Sequence, residues 1–200
     1  MERLGLLGGT FDPLHIGHLI LASMAVEALA LDAVWFVPAA DPPHKQGRAV
    51  TPASHRLAMV ALGIAGNPRF ALSRIDVDRP GPHYSVDMVA LAQQQAPQAA
   101  IFFLLGSDSL ADLPTWHRPD LLLARCQLGV YQRPEAPVDV AALEAHLPGL
   151  SGRMIWIEGP GISLSASAIR ERLQGGRSVR YLVPETVRTY IDAHRLYSRT

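Results

Sequence analysis

The sequence predicts an α/β fold, a parallel sheet with helices on both faces. Short apolar runs recur along the chain, each bounded by Gly, Pro or Asp. Several are apolar almost throughout, as strands covered on both faces are. Helical patterns fill the intervals, and such alternation implies a parallel sheet with right-handed crossovers.

The strand-like runs are Leu4–Leu7, Val34–Val37, Phe70–Leu72, Ile101–Leu105, Leu128–Tyr131 and Met154–Ile157. The first helical pattern extends from about Gly17 to Leu29. A second begins at Thr51-Pro52, where Thr51 can cap and Pro52 fits the first turn. Others start near Ser85, Pro119 and Val138, with Ser85 as N-cap and Asp87 favourable in its first turn. Toward the end, Ser165 or Ser167 can cap a segment through Leu173, closed by Gly175-Gly176. Pro184 opens a last helix through about Leu196. The expectation is one domain over residues 1–200, with a small helical C-terminal subregion from about residue 160.

A chain of 200 residues buries roughly 70% of its unfolded surface, so it needs no disulfide or metal staple. Hydrophobic residues at 48% and charged residues at 18% make a globular composition. Eighteen Lys+Arg balance eighteen Asp+Glu. That balance argues against a nucleic-acid partner, because nonspecific affinity grows with the phosphates neutralised. A small phosphorylated ligand held by a few local cations stays compatible. The lone Cys126 cannot form an internal disulfide and fits a reducing cytoplasm. No run nears the roughly 18 apolar residues of a membrane span. The N-terminus lacks the apolar core of a secretory signal. A cytoplasmic protein with no membrane partner is expected. The apolar helix faces do not separate core from interface, so a homo-oligomer stays open.

Ligands of such sheets sit at the carboxyl ends of the strands. After the first strand comes Gly8-Gly9-Thr10-Phe11-Asp12-Pro13-Leu14-His15-Ile16-Gly17-His18. Gly8 and Gly9 let a phosphate approach the backbone, and Thr10 offers a hydroxyl. His15 and His18, three residues apart at a helix start, can face one side. Gly17 leaves room for a ligand between the two imidazoles. The helix N-terminus adds N–H groups and partial positive charge. A polyphosphate site is the reading that uses all of these. A capping pair or a zinc site are the other two, but no His-Glu-x-x-His pattern is present. The loop is neither a Walker A loop nor a GxGxxG fingerprint.

GGTFDPLHIGH resembles the signature of nucleotidyltransferases with the (T/H)xGH motif. Within them it is most similar to the bacterial nicotinate-nucleotide adenylyltransferases. Class I aminoacyl-tRNA synthetases share the His-Ile-Gly-His element, but their KMSKS sequence is lacking here. The resemblance implies a Rossmann-like sheet and an ATP site at Gly8, Gly9, Thr10 and Phe11.

Later blocks bear the same resemblance. The second strand runs into Pro42-Pro43-His44-Lys45, and Lys45 is either a mobile charge for a triphosphate or an ordinary exposed lysine. His83-Tyr84-Ser85-Val86-Asp87 resembles the family's Ser-Tyr-Thr-x-Asp segment, which implies that Tyr84 and Ser85 help hold a pyridine mononucleotide. His83 and Ser85 depart from that pattern, and Tyr84 and Asp87 match it. Gly106-Ser107-Asp108 ends the fourth strand, and a carboxylate there suits two ribose hydroxyls. Trp116 offers a flat face for a pyridine ring, or packs in the core. By resemblance, Gly106 and Asp108 serve the adenosine side and Trp116 the nicotinate side. Arg133, after the fifth strand, either contacts phosphate or forms a surface pair. Ile162-Ser163-Leu164-Ser165-Ala166-Ser167-Ala168-Ile169-Arg170 is a helix start with hydroxyls and a cation one turn in, a second anion site. It is similar to the family's Ile-Ser-Ser-Thr-x-Ile-Arg motif, implying that Ser167 and Arg170 meet the ATP phosphates.

The resemblance implies adenylyl transfer from ATP, as co-substrate, to nicotinate mononucleotide, giving deamido-NAD and pyrophosphate. His15, His18, Lys45 and Arg170 would be the catalytic set, acting by position and charge rather than through a covalent intermediate. Mg²⁺ is implied as a companion of ATP, with no dedicated protein cage. The rivals are transfer to nicotinamide mononucleotide or phosphopantetheine, and a non-catalytic nucleotide-binding sensor.

Overall fold

The computed structural model describes residues 1–40, 50–133 and 137–198. Six parallel strands form one sheet: β1 (Arg3–Gly9), β2 (Ala33–Pro38), β3 (Phe70–Leu72), β4 (Ala100–Gly106), β5 (Gln127–Tyr131) and β6 (Met154–Ile157). Their order is β3-β2-β1-β4-β5-β6, so the direction of winding reverses between β1 and β4. All six expected strands are present. β1 extends two residues past Leu7, because Gly8 and Gly9 still pair with Val37 and Pro38.

The helices are α1 (Ile16–Ala28), α2 (Ala53–Ile64), α3 (Ser85–Gln95), α4 (Ser107–Ala111), α5 (Pro119–Arg125), α6 (Val140–His146), α7 (Ala166–Gln174) and α8 (Glu185–Ala193). Strand alternation sends β1 and β4 side chains to two faces. Leu7, Phe102 and Leu104 pack with α1, α2, α7 and α8. Leu4, Leu6, Ile101, Phe103 and Leu105 pack with α3 and α5. The C-terminal helices therefore share a core with the sheet through Ile169, Val187 and Ile191.

Glycine makes the closest of these contacts possible. A Cβ on Gly63 of α2 would run into Leu14 Cδ2 and lie 3.1 Å from Val187 Cγ2 of α8. On Gly129 of β5 it would lie 2.7 Å from Leu29 Cδ1.

Two caps differ from expectation and a third settles a choice. Pro52, not Thr51, precedes α2, because the Thr51 carbonyl and N–H serve Arg56 and Asp12. Tyr84 is the N-cap of α3, which makes Ser85 its first helical residue. Of the two serines offered for α7, Ser165 is the cap and accepts the Ala168 N–H. The short helix α4 and the 3-10 turn Leu113–Thr115 were not foreseen, being too brief for a periodic signal. No helix among the described residues is long and apolar enough to cross a membrane.

Candidate active site

A cleft of about 480 Å³ opens at the carboxyl ends of β1 and β4, where the strand order reverses. Crossovers leave the sheet on opposite faces there, so a crevice is unavoidable. Gly8, Gly9, Thr10, Phe11, His15 and His18 form one wall. Gly106, Asp108 and Arg133 form another, and Tyr84, Ser85, Trp116 and His117 close one end. Leu164, Ser165 and Ala166 bring the start of α7 to the same cleft.

His15 is the N-cap of α1 and is 2% exposed. Its backbone N–H donates to His18 Nδ1 at 3.2 Å. That bond makes Nδ1 an acceptor, so in the neutral ring the proton of His18 resides on Nε2. The imidazoles stack with centroids 3.6 Å apart and planes 21° apart. Nothing can pass between them, which corrects the role expected for Gly17. A Cβ on Gly17 would lie 3.1 Å from His15 Cε1 and Nδ1, so the glycine makes room for the ring itself. The Phe11 ring meets His18 edge-on at 4.9 Å and holds its other side.

Burial, and then the charge of Arg133, push the His15 pKa down to about 4. His15 is thus neutral near pH 7 and can offer hydrogen bonds but no positive charge. Its Nδ1 is buried without a partner among the described residues. The amides at the start of α1 are less available than expected. Ile16 N–H donates to Leu182 O and His18 N–H to His15 O, both at 3.0 Å.

On the facing wall, Arg133 Nε lies 3.6 Å from Asp108 Oδ1, and the Arg133 N–H donates to Ser107 Oγ. Arg133 crosses directly over Gly106, where a Cβ would lie 3.1 Å from its Nε. At the closed end, Tyr84 stacks on His117 with centroids 4.0 Å apart. Trp116 meets Phe103 edge-on at 5.8 Å, so it both packs on the core and faces the cleft. A glycine-lined, histidine-bearing wall suits phosphate, and an aromatic end suits a flat ring.

Residues 6–172 match the model of the Cytidylyltransferase-like family. The chain belongs to that family. A Thermomicrobium roseum relative named "Probable nicotinate-nucleotide adenylyltransferase" is 49% identical over 197 residues, 98% of this chain and 92% of its own length. A Thermus thermophilus relative of the same name is 45% identical, covering 98% of this chain and 99% of its own. Plasmodium falciparum nicotinic acid mononucleotide adenylyltransferase complexed with NaAD superposes with a TM-score of 0.80 at 19% identity, covering 98% of each chain. At that identity the likeness shows the fold.

In this cytidylyltransferase-like chain Ser167 and Arg170, both expected at the site, are not part of the cleft lining. Arg170 Nη1 donates to Asp12 O at 2.7 Å and Nη2 to Ser167 Oγ at 3.2 Å. Lys45 lies outside the described residues.

The sequence reading missed the buried frame beneath the turn. Arg56, 1% exposed, donates to the carbonyls of Thr10, Ala39, Ala40 and Thr51. It thereby fastens the ends of β1 and β2 to the start of α2. Burial lowers its pKa, and Asp12 opposes that. Asp76, 4% exposed, accepts both Arg79 Nε and Nη2, and also the Ala40 N–H. His83 Nδ1 stands 3.4 Å from the same carboxylate. An Asp three residues before an Arg was the one local signal for this group.

Proposed function

We propose that the chain transfers the adenylyl group of ATP to nicotinate mononucleotide, releasing pyrophosphate and forming deamido-NAD. The observation that carries the reading is one cleft with a His15–His18 wall at the sheet's switch point and an aromatic end at Tyr84, Trp116 and His117. Near-full-length relatives bearing that activity in their names support it.

In this reading the acceptor's phosphate oxygen attacks the α-phosphorus of ATP. The bond from that phosphorus to the β-phosphate bridging oxygen breaks, and the electron pair leaves with pyrophosphate. The acceptor arrives as an anion and needs no general base. The obstacles are repulsion between anions and charge gathering around phosphorus. His18 would donate from Nε2, and neutral His15 would add a hydrogen-bonding nitrogen without a second charge. Gly8 and Gly9 would let the phosphates lie against the backbone. Arg133 and Asp108 would meet the adenosine side, and Trp116 and Tyr84 would sandwich the pyridine. Position and fixed dipoles then supply the acceleration.

Mg²⁺ fits as an ion carried in on ATP. Among the described residues no three His, Cys, Asp or Glu side chains converge on a metal position. Among the described residues, Asp76 and Asp108 are the carboxylates that line the cleft. When bound, the ion would neutralise phosphate charge.

Pyrophosphate release measured with ATP and each acceptor in turn tests the reading. Release with nicotinate mononucleotide should exceed that with nicotinamide mononucleotide, with none from phosphopantetheine. No release with any acceptor, from folded protein, would favour a nucleotide-binding sensor.

A further inference from the structure

Asp12 is 2% exposed and sits inside the turn between Thr10 and His15. Its carboxylate is held from far along the chain. The Tyr197 hydroxyl donates to Asp12 Oδ1 at 2.6 Å, across 185 residues. The Thr51 N–H donates to Oδ2 at 3.3 Å. Arg170 Nη1 lies 4.0 Å from Oδ2 while donating to the Asp12 carbonyl.

The backbone that delivers Tyr197 is unusual. After α8, Arg195 at φ +50° and Tyr197 at φ +62° both lie in the left-handed region. Bulky side chains rarely adopt it, and it persists where the surroundings over-determine it. Leu196 and Tyr197 pack on the α1 and α2 side of the core, which fixes this reversal. Burial and the Asp12 carboxylate both push the Tyr197 pKa up, so the phenol keeps its proton and remains a donor. The match to the family model ends at Arg172, so Tyr197 lies outside the matched residues.

We propose that Tyr197 is a positioning residue for the nucleotide-binding turn, acting through Asp12. The C-terminal segment thereby sets the geometry of Thr10, His15 and His18. A buried carboxylate takes the orientation its donors impose, and a missing donor leaves it to reorient and move the turn. The mononucleotide end of the cleft is built from other elements, chiefly α3 and the segment after α4. Loss of the hydroxyl should therefore act on ATP and spare the acceptor.

The proposal rests on the ATP site proposed above, and calorimetric titration of the full chain with ATP separates the two. Wild-type protein that takes up no ATP would sink the ATP-site reading itself. Given wild-type binding, Tyr197→Phe should weaken ATP by about tenfold, the scale of one hydrogen bond to a charged group. Its KM for nicotinate mononucleotide should stay at the wild-type value. Unchanged ATP affinity, or equal losses for both substrates, would overturn the proposal. Should Tyr197→Phe fail to fold, Asp12→Ala removes the acceptor instead of the donor. Charge alone predicts tighter ATP in that variant, since a negative group leaves an anion site. Weaker ATP therefore reports lost positioning, and tighter or equal ATP refutes it.

Discussion

His18 accepts the backbone N–H of His15 through Nδ1 at 3.2 Å while the two imidazoles stack 3.6 Å apart. One contact thus fixes the start of α1, the tautomer of His18 and the packing that keeps His15 dry. The same contact leaves the proton of a neutral His18 on Nε2 and does not place two cations in van der Waals contact.

Replacing His18 with Ala should cut kcat by about a hundredfold or more, the effect of deleting one preorganised donor. Stability should fall by about 1 kcal/mol, because the N–H of His15 loses its capping acceptor. Steady-state kinetics and urea unfolding on the same preparation check both. Near-wild-type turnover by the folded variant would remove His18 from the chemistry.

His15 makes stability depend on acid. Its pKa falls from 6.5 to about 4 on folding, chiefly through burial. Between those values the unfolded chain binds a proton that the folded chain refuses, so stability rises with pH across the window. No penalty remains above pH 6.5, and the full penalty of about 3 kcal/mol is reached below pH 4. Urea midpoints of wild type should therefore drop from pH 7 to pH 4 by more than those of His15→Gln. Parallel pH profiles would mean that the ring is not held neutral.

The strands were legible because a parallel strand covered on both faces must be apolar along its length, as Ile101–Leu105 is. The His15–His18 pair was legible because a helix start brings neighbours in sequence together. Its stacking was not, since that depends on Gly17 and on Phe11 behind it. The frame beneath the turn left no local trace. Arg56 reaches carbonyls on three segments and Tyr197 reaches across 185 residues, and no periodicity records such contacts. Asp12 read as part of a motif, while its partners became visible only once the chain was folded.

Arg56→Met keeps most of the side-chain volume and removes every donor. The carbonyls of Thr10, Ala39, Ala40 and Thr51 would lose a buried partner together. The expected cost is roughly 3 kcal/mol or more, since an orphaned buried acceptor costs more than a hydrogen bond contributes. Urea unfolding reads this directly. A change below the usual scatter of surface substitutions would show that water replaces the guanidinium at little cost.

Trp116 answers a narrower question, because it touches both the core and the cleft. Its edge-on contact with Phe103 means that Trp116→Ala loses packing whatever the ligand. Only a difference between substrates isolates the binding role. If the indole forms part of the pyridine's seat, the KM for the mononucleotide should rise by about tenfold, equivalent to one aromatic contact, while the KM for ATP moves little. Equal rises in both would mean that the indole acts through the core alone, leaving Tyr84 and His117 to form the seat.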